Sequence, residues 1–300
     1  MANFLKTLRS FRRNPYLSTS LATWRHVAWQ ARKLMHGFPV VIEREGIRLR
    51  IQHEVRNGVG GLFNGAGFWD ANNMRLVREL ASRSLVRNFV DIGANVGVYS
   101  LIAGKHVPVI AFEPHPSIHR QLIENCDLNG LQNRIQIIQA ALGDTNGEVK
   151  FTDELGSSIN RVVTESENGA HAIPVTIHRA DSWFAFRHVS PSLVKIDVEG
   201  HEDHVLEGFG ELLSRVDIVL VECRKIGQAA QIARSAGLLG PCSYVHSTQR
   251  FHARRMHGED WVFINHVFMK QLADAGFHFD AELLEPAAAE SHTDRGFRLP

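Results

Sequence analysis

Short apolar runs alternate with longer amphipathic segments through the middle of the chain. The runs predict buried strands at Phe89–Ile92, Val109–Phe112, Arg134–Gln139, Leu193–Val198 and Ile218–Val221. Between them, apolar residues recur at helical spacing and predict helices at Val96–Lys105, Pro116–Leu128 and Glu202–Leu213. Short strands that alternate with helices build a parallel sheet that is covered by helices on both faces. The pattern therefore predicts the α/β class, with a doubly wound, mostly parallel sheet.

The segment before this core has a different pattern. Residues 39–52 alternate in hydrophobicity, which predicts a β-hairpin with its turn near Glu45 and Gly46. A glycine-rich loop follows over residues 57–67. A helix is then predicted from about Asp70 to Ser82, with Asp70 as its N-cap.

The core is interrupted once and continues beyond its fifth strand. A hairpin-like insertion is predicted at Glu148–Phe151 and Ile173–Ile177. After Gly227 the pattern predicts a further helix, then strands near Tyr244 and at Trp261–Ile264. We expect three regions: an N-terminal helical and hairpin extension of residues 1–84, a core domain of residues 85–270 and a tail of residues 271–300.

The start of the chain is basic and amphipathic. Residues 1–42 contain seven Lys or Arg residues and no Asp or Glu. Apolar residues recur there at helical spacing, and Pro15 separates two short predicted helices. Residues 1–36 then either lie on an anionic membrane surface as a peripheral contact, or pack on the core or on a second subunit. The pattern leaves both alternatives open.

Composition excludes some classes of protein. The 33 Lys and Arg residues balance 32 Asp and Glu residues, which argues against a nucleic-acid binder that works through bulk positive charge. The three cysteines form no CxxC pair, so we expect neither a disulfide framework nor a zinc knuckle, and a cytoplasmic setting. No apolar run reaches the roughly 18 residues that a membrane-spanning helix needs.

The first two core strands end in a glycine loop and an acid. The first strand leads into a loop that begins at Asp91 and contains Gly93 and Gly97, which let the backbone turn and approach a ligand. Glu113 follows the second strand, twenty residues after Gly93. Ligands of open α/β sheets bind at these strand ends. An acid at this spacing accepts hydrogen bonds from the ribose of an adenosine-containing cofactor.

The loop itself favours one such cofactor. Dinucleotide sites use G-x-G-x-x-G to hold a pyrophosphate, whereas this loop reads D-x-G-A-N-x-G. S-adenosylmethionine has no phosphate; its ammonium can pair with Asp91, and its carboxylate can accept from loop N–H groups such as those of Ala94 and Asn95. The sequence therefore predicts an S-adenosylmethionine site. Asp144, after the third strand, is either an adenine contact or a turn residue.

The fourth strand brings charged residues to the same edge. Lys195, Asp197 and Glu199 follow one another at period two, which predicts that they share a face, and Glu222 ends the fifth strand. Such charges are costly unless they pair or line a polar cavity. Lys195 therefore either forms an ion pair or belongs to a catalytic cleft. Asp197 is our candidate base for a hydroxyl proton, with Glu199 and His201 as alternatives.

The run His201-Glu202-Asp203-His204 contains the side-chain types that bind metals. A helical H-x-x-H surrounded by acids is more often a solvated surface. No metal site is therefore predicted from this run.

Taken in order, these motifs resemble one family. The segments FVDIGANVGVYS, AFEPHP, ALGD, VKIDVEGHE and VLVEC are similar in order and spacing to the FkbM methyltransferases over roughly residues 85–225. The resemblance implies a class I methyltransferase fold, which is Rossmann-like, and O-methylation. It also implies that Asp91, Gly93, Asn95, Gly97 and Glu113 bind the cofactor, and that the family's acidic motif is represented by Asp197, Glu199 and Glu202.

The function expected from residues and resemblance together is methyl transfer from S-adenosylmethionine to a hydroxyl of a sugar, a glycan or another small natural product. Two alternatives stay open. A non-catalytic S-adenosylmethionine-binding module would carry the same cleft without a productive base. An NAD-linked oxidoreductase would share the fold but needs a phosphate loop that this sequence lacks.

Overall fold

The computed structural model describes residues 18–36, 38–52, 70–153, 160–163, 171–223, 226–254 and 260–284. The first predicted N-terminal helix, Pro15 and the glycine-rich loop lie outside these ranges, as do residues 285–300 of the predicted tail. Among the described residues, no helix is both long enough and apolar enough to cross a membrane.

The described elements alternate as the sequence predicts. The strands are β1 Val40–Arg44, β2 Ile47–Ile51, β3 Phe89–Ile92, β4 Val109–Phe112, β5 Ile135–Ile138, β6 Ala141–Gly143, β7 Gly147–Thr152, β8 Ala172–Arg179, β9 Leu193–Ile196, β10 Ile218–Glu222, β11 Leu238–Val245, β12 Arg250–His252, β13 Asp260–Asn265 and β14 His278–Phe279. The α-helices are α1 Thr19–His36, α2 Ala71–Ser82, α3 Val98–Gly104, α4 Pro116–Leu128, α5 Ala180–Phe186, α6 Glu202–Phe209, α7 Gly227–Ser235, α8 His266–Asp274 and α9 Ala281–Leu284. Two 3₁₀ helices span Gly210–Arg215 and His246–Thr248.

Nine strands form the central sheet, in the order β14-β12-β11-β13-β10-β9-β3-β4-β5. Strands β5, β4, β3, β9 and β10 are parallel, and β13 then pairs with β10 in the antiparallel sense. The chain runs outward from β3 to β5 and returns to β9 on the other side of β3. The strand order therefore reverses between β3 and β9, where a doubly wound sheet opens its ligand crevice. The predicted fold class is confirmed.

Period-two alternation divides the core between the two faces of this sheet. Phe89 and Leu193 face one hydrophobic cluster, which includes residues of α2, α3 and α4. Val90 and Val194 face the other, which includes residues of α5, α6 and α7. On the first face the pattern turns polar at the strand ends, where Asp91 lies opposite Lys195 in the register of β3 and β9. The fold thus places these charges at the crevice.

The predicted hairpin is confirmed and packs on the core. Strands β1 and β2 pair in the antiparallel sense, and both turn residues, Glu45 and Gly46, have positive φ angles, as a tight two-residue hairpin turn requires. The backbone N–H of Arg50 donates to Oδ1 of Asn125 on α4 at 2.7 Å. The hairpin, which precedes the core in the sequence, therefore packs against helix α4.

Other boundaries differ from the sequence prediction. Strand β9 ends at Ile196, two residues earlier than expected, and α6 ends at Phe209, before the 3₁₀ helix Gly210–Arg215. Helix α3 begins at Val98 because Asn95 and Gly97 before it adopt positive φ angles. The insertion is a three-stranded sheet in the order β6-β8-β7. Helices α5, α8 and α9 and strands β6, β12 and β14 are additional to the predicted elements.

Candidate active site

The loop after β3 is shaped by close backbone contacts. Gly93 has φ near +80°, and a Cβ atom there would overlap the carbonyl oxygen of Asp197. Asn95 is also left-handed, and its Oδ1 accepts from the N–H of Val96 at 2.8 Å. Asparagine tolerates this conformation because its short side chain bonds locally. The loop therefore runs directly beside the end of β9.

Glu113 ties this loop to the end of β4. Its Oε2 accepts from the backbone N–H of Asn95 and its Oε1 from that of His115, both at 2.9 Å. The residue is only 7% exposed. Burial raises the pKa of Glu113 to about 7, although the two backbone hydrogen bonds act against the rise. Each carboxylate oxygen keeps a lone-pair direction for a ligand hydroxyl.

A first cavity of about 640 Å³ opens beside Glu113. Its walls combine apolar side chains with a few polar groups, as small-molecule sites usually do. They are formed by Ile92, Gly93, Asn95, Phe112, Glu113, Pro114, His115, Ile118, Ala140, Ala141, Leu142, Phe151, Asn160, Val162, Asp197, Val198, Glu199 and His201.

A second cavity of about 440 Å³ also borders the glycine loop. Four of its eleven lining residues are acidic, compared with three of eighteen in the first cavity. Its walls are Asp70, Asp91, Gly93, Ala94, Asn95, Val96, Val98, Tyr99, Lys195, Asp197 and Glu222. The two cavities share Gly93, Asn95 and Asp197, so they adjoin at these three residues.

Lys195 is the cation of the second cavity. Its Nζ lies 2.8 Å from Oδ2 of Asp197 and 4.9 Å from the centroid of the Tyr99 ring. Burial acts to lower the pKa of Lys195, but the neighbouring carboxylates, that of Asp197 first, outweigh it and raise the pKa. The ion pair and the cleft, which the sequence leaves as alternatives, therefore occur together.

Glu222 adds a second carboxyl group next to Asp197. Burial first, and then the charge of Asp197, raise the pKa of Glu222 to about 8. Glu222 is therefore largely protonated at neutral pH and can share its proton with Asp197. The charge of Lys195 then stabilises a single negative charge on this pair of acids.

Two further acids of this region come from outside the sequence motifs. Tyr99 donates a hydrogen bond to Asp70, which precedes α2. Burial raises the pKa of Asp70, and burial together with Asp70 and Glu222 raises the pKa of Asp260. Asp70 is the predicted N-cap of α2, but its side chain makes no capping hydrogen bond. Asp70 lies before α2 and Asp260 begins β13, far apart in the sequence. No sequence pattern predicts that these two acids lie close to each other.

Glu199 and His201 belong to the first cavity and not to the second. The predicted shared face of Lys195, Asp197 and Glu199 holds only for the first two, because β9 ends at Ile196 and Glu199 has a positive φ angle. Burial, followed by the charge of His204, lowers the pKa of His201 to about 4. His201 is therefore neutral near pH 7.

Two predicted cofactor contacts lie outside the walls of both cavities. Gly97 makes room for Leu122, whose side chain would overlap a Cβ at that position. Asp144 directs Oδ2 to Nδ1 of His204 at 3.1 Å. Of its alternatives, a turn residue fits Asp144 better than an adenine contact, since Ala140 and Leu142 form the wall there.

The remaining residues fit S-adenosylmethionine. Glu113 offers acceptors for a ribose, the apolar walls of the first cavity suit an adenine, and Asp91 offers an acid for the ammonium. Asp91 is 1% exposed and accepts from Oγ of Ser100 at 2.6 Å, while burial raises its pKa against the opposing charge of Lys195.

This arrangement is that of a class I methyltransferase, and comparison with known families agrees. A family model described as Methyltransferase FkbM domain matches residues 91–278, more than half of the chain. The chain therefore belongs to the FkbM methyltransferase family. The family that the motifs indicate is confirmed.

Two curated relatives and one solved structure are similar to parts of the chain. Hexuronic acid methyltransferase AglP of Haloferax volcanii is 31% identical over 134 residues, which cover 44% of this chain and 54% of that protein. Methyltransferase sdnD of Sordaria araneosa is 26% identical over 155 residues, covering 41% of this chain and 60% of that protein. The chain thus spans between about half and three fifths of the curated relatives it matches.

The solved structure is that of methyltransferase FkbM from Methylobacillus flagellatus KT. It is 13% identical and covers 60% of this chain and 44% of its own, with a TM-score of 0.41. So slight a likeness carries no inference about function.

Proposed function

We propose that the protein transfers the methyl group of S-adenosylmethionine to a hydroxyl oxygen of a sugar, a glycan or another small natural product. The observation that carries this proposal is the junction of the two cavities at Gly93, Asn95 and Asp197. One cavity offers a ribose acceptor in Glu113, and the other holds an ion-paired acid that can receive a proton. Asp197 borders both, where donor and acceptor would meet.

A sugar-like acceptor is supported by two independent points. AglP, the more similar of the two curated relatives, is named for its action on a hexuronic acid. In this protein, the second cavity presents several carboxyl groups, which accept and, when protonated, donate hydrogen bonds to hydroxyl groups. Such walls suit a polyhydroxylated molecule better than an apolar one.

In the proposed reaction the protein aligns the acceptor and receives its proton. S-adenosylmethionine, when bound, supplies an electrophilic methyl group on a sulfonium. Asp197 accepts the proton of the attacking hydroxyl, a role that typically contributes about 10²- to 10⁴-fold in rate. Lys195 fixes the position of the Asp197 carboxylate through the 2.8 Å ion pair. Glu222 holds a proton that Asp197 can share, and this keeps the pair of acids singly charged.

Binding distinguishes this function from the dinucleotide alternative. S-adenosylhomocysteine should raise the melting temperature of the full chain, whereas NAD should leave it unchanged, since a ligand that binds only the folded state stabilises it. Stabilisation by NAD alone would overturn the assignment. Methyl transfer to a sugar acceptor distinguishes an enzyme from a non-catalytic binding module, which would bind S-adenosylhomocysteine equally well.

We also propose that α1 contacts an anionic membrane surface, next to which a lipid-linked acceptor would lie. Trp24 is 67% exposed and Met35 70% exposed, and Val27 is exposed between them. Trp29 and Ala22 of the same helix are buried, and Trp29 packs edge-on against Phe38 with ring centroids 6.3 Å apart. One face of the helix is thus packed on the protein while large apolar side chains remain on another. A second copy of the chain is the competing occupant of that face.

A further inference from the structure

Three potential metal ligands converge beside the first cavity, whose wall includes one of them, His201. His201 precedes α6, His204 lies in its first turn, and Asp144 follows β6. One ligand atom from each of the three lies within 4.8 Å of the others. Their order in the sequence hides this, because Asp144 is about sixty residues from the two histidines. The structure therefore adds a carboxylate to the His-x-x-His pair, which by itself predicts only a solvated surface.

The approach of α6 to β6 holds the three side chains in place. Gly208 on α6 lies against the backbone of Gly143, so closely that a Cβ on Gly208 would overlap the carbonyl oxygen of Gly143. The two imidazole rings stack with their centroids 4.4 Å apart and 20° between their planes. The ligand atoms are thus brought together by the packing of two rigid elements rather than by a loose surface.

The polar contacts of this cluster are incomplete without a further group. Nδ1 of His204 and Oδ2 of Asp144 lie 3.1 Å apart and satisfy each other. Nε2 of His201 is buried and has no hydrogen-bond partner among the described residues. A buried polar atom without a partner is unusual in folded proteins and indicates a missing water or ion.

We propose that Asp144, His201 and His204 bind a divalent transition-metal ion such as Zn²⁺. Two imidazoles and one carboxylate form a typical three-ligand zinc set, to which water adds the fourth ligand. The side chains of His204 and Asp144 are 51% and 31% exposed, so this side of the site is open to water. Mg²⁺ and Ca²⁺ prefer oxygen ligands and should bind poorly. The ion would join β6 to α6 next to the first cavity.

Zinc titration of the metal-stripped full chain tests this proposal. Wild type should bind Zn²⁺ at this site, and His204→Ala and Asp144→Asn should each weaken that binding at least about tenfold, while Mg²⁺ should not compete. His266→Ala is the matched control, because His266 is an exposed histidine on α8, away from the cluster. Both variants change part-exposed side chains, so we expect them to fold.

A second readout separates this site from the other histidines of the chain. Zn²⁺ should raise the melting temperature of wild type and of His266→Ala, and raise it less in His204→Ala and in Asp144→Asn. The proposal is overturned if wild type binds no zinc, or if zinc affinity and thermal stabilisation survive both variants. In the first case a water molecule is the partner of His201, and in the second zinc binds elsewhere.

Discussion

The Nζ atom of Lys195 lies 2.8 Å from Oδ2 of Asp197, at the junction of the two cavities. Through this contact, Lys195 of β9 holds the carboxylate of Asp197, which borders both cavities. The side chain of Lys195 is 5% exposed, whereas that of Asp197 is 28% exposed. The buried cation thus stabilises the negative charge of an acid that remains accessible to a substrate.

Asp197→Asn should therefore lose turnover while keeping its affinity for S-adenosylhomocysteine. Asparagine preserves the shape and the hydrogen-bonding capacity of the side chain but cannot take a proton, so activity should fall by about two orders of magnitude or more. Initial rates with labelled methyl donor, alongside calorimetry, measure both effects. Asp274→Asn, at an exposed aspartate of α8, is the matched control. Full activity in Asp197→Asn would show that Glu199, His201 or Glu222 is the base, or that the reaction uses no base.

Glu113→Ala should weaken the binding of S-adenosylhomocysteine roughly 10- to 100-fold. A hydrogen bond to a charged acceptor contributes about 1.5–3 kcal/mol, which corresponds to that range. Calorimetry at pH 8 measures the change with the wild-type carboxyl largely ionised, since its pKa is about 7. Glu282→Ala, at an exposed glutamate of α9, should bind as wild type does. If a folded Glu113→Ala protein binds with unchanged affinity, the ribose contact lies elsewhere.

Glu222 should make the folded protein less stable as pH rises from about 4.5 to about 8. Folded Glu222 keeps its proton until about pH 8 because of burial and the nearby Asp197, whereas an unfolded glutamate releases it near pH 4.5. In that window the folded state binds more protons, so raising the pH favours unfolding. Urea titrations at several pH values measure the slope. Glu222→Gln should flatten it, and an unchanged slope would show that Glu222 is ionised in the folded protein.

The exposed face of α1 should bind vesicles that contain anionic lipid. Flotation of the full chain at low salt should recover it with the vesicles, and high salt or removal of residues 1–36 should release it, since basic residues near such a surface each contribute about 1 kcal/mol. Trp24→Ala should weaken flotation, because its exposed ring is lost. Thr248→Ala, at an exposed residue of the 3₁₀ helix His246–Thr248, serves as a control. The opposite result would be a full chain that is dimeric and does not float, and a truncated protein that is monomeric. That result would show that α1 forms a subunit interface instead.

Much of the core could be predicted from the sequence because its strands are buried on both faces. Phe89–Ile92 and Val109–Phe112 are uniformly apolar apart from one acid, and their bounds in the structure match the prediction to the residue. Their order along the chain then determines which strand ends meet. For that reason the sequence alone assigns Asp91, Glu113 and Asp197 to one crevice.

The parts that escaped prediction depend on contacts between distant segments. Gly97 looks like a loop glycine that serves the ligand, yet its missing side chain accommodates Leu122. Asp70 looks like a helix cap, yet its carboxylate accepts from Tyr99 and from Asn73. Asp260 enters the site because β13 adds to the edge of β10, where Asp260 pairs with Glu222. A local pattern carries no information about such partners.

The most direct test of the proposed function is mass spectrometry of sugar and glycan acceptors after incubation with the full chain and isotope-labelled S-adenosylmethionine. We predict that a hydroxyl of at least one acceptor gains the labelled methyl group, that S-adenosylhomocysteine forms in equal amount, and that Asp197→Asn loses this product. Binding of S-adenosylhomocysteine without transfer to any sugar, glycan, lipid or polyketide acceptor would contradict it and leave a non-catalytic binding module.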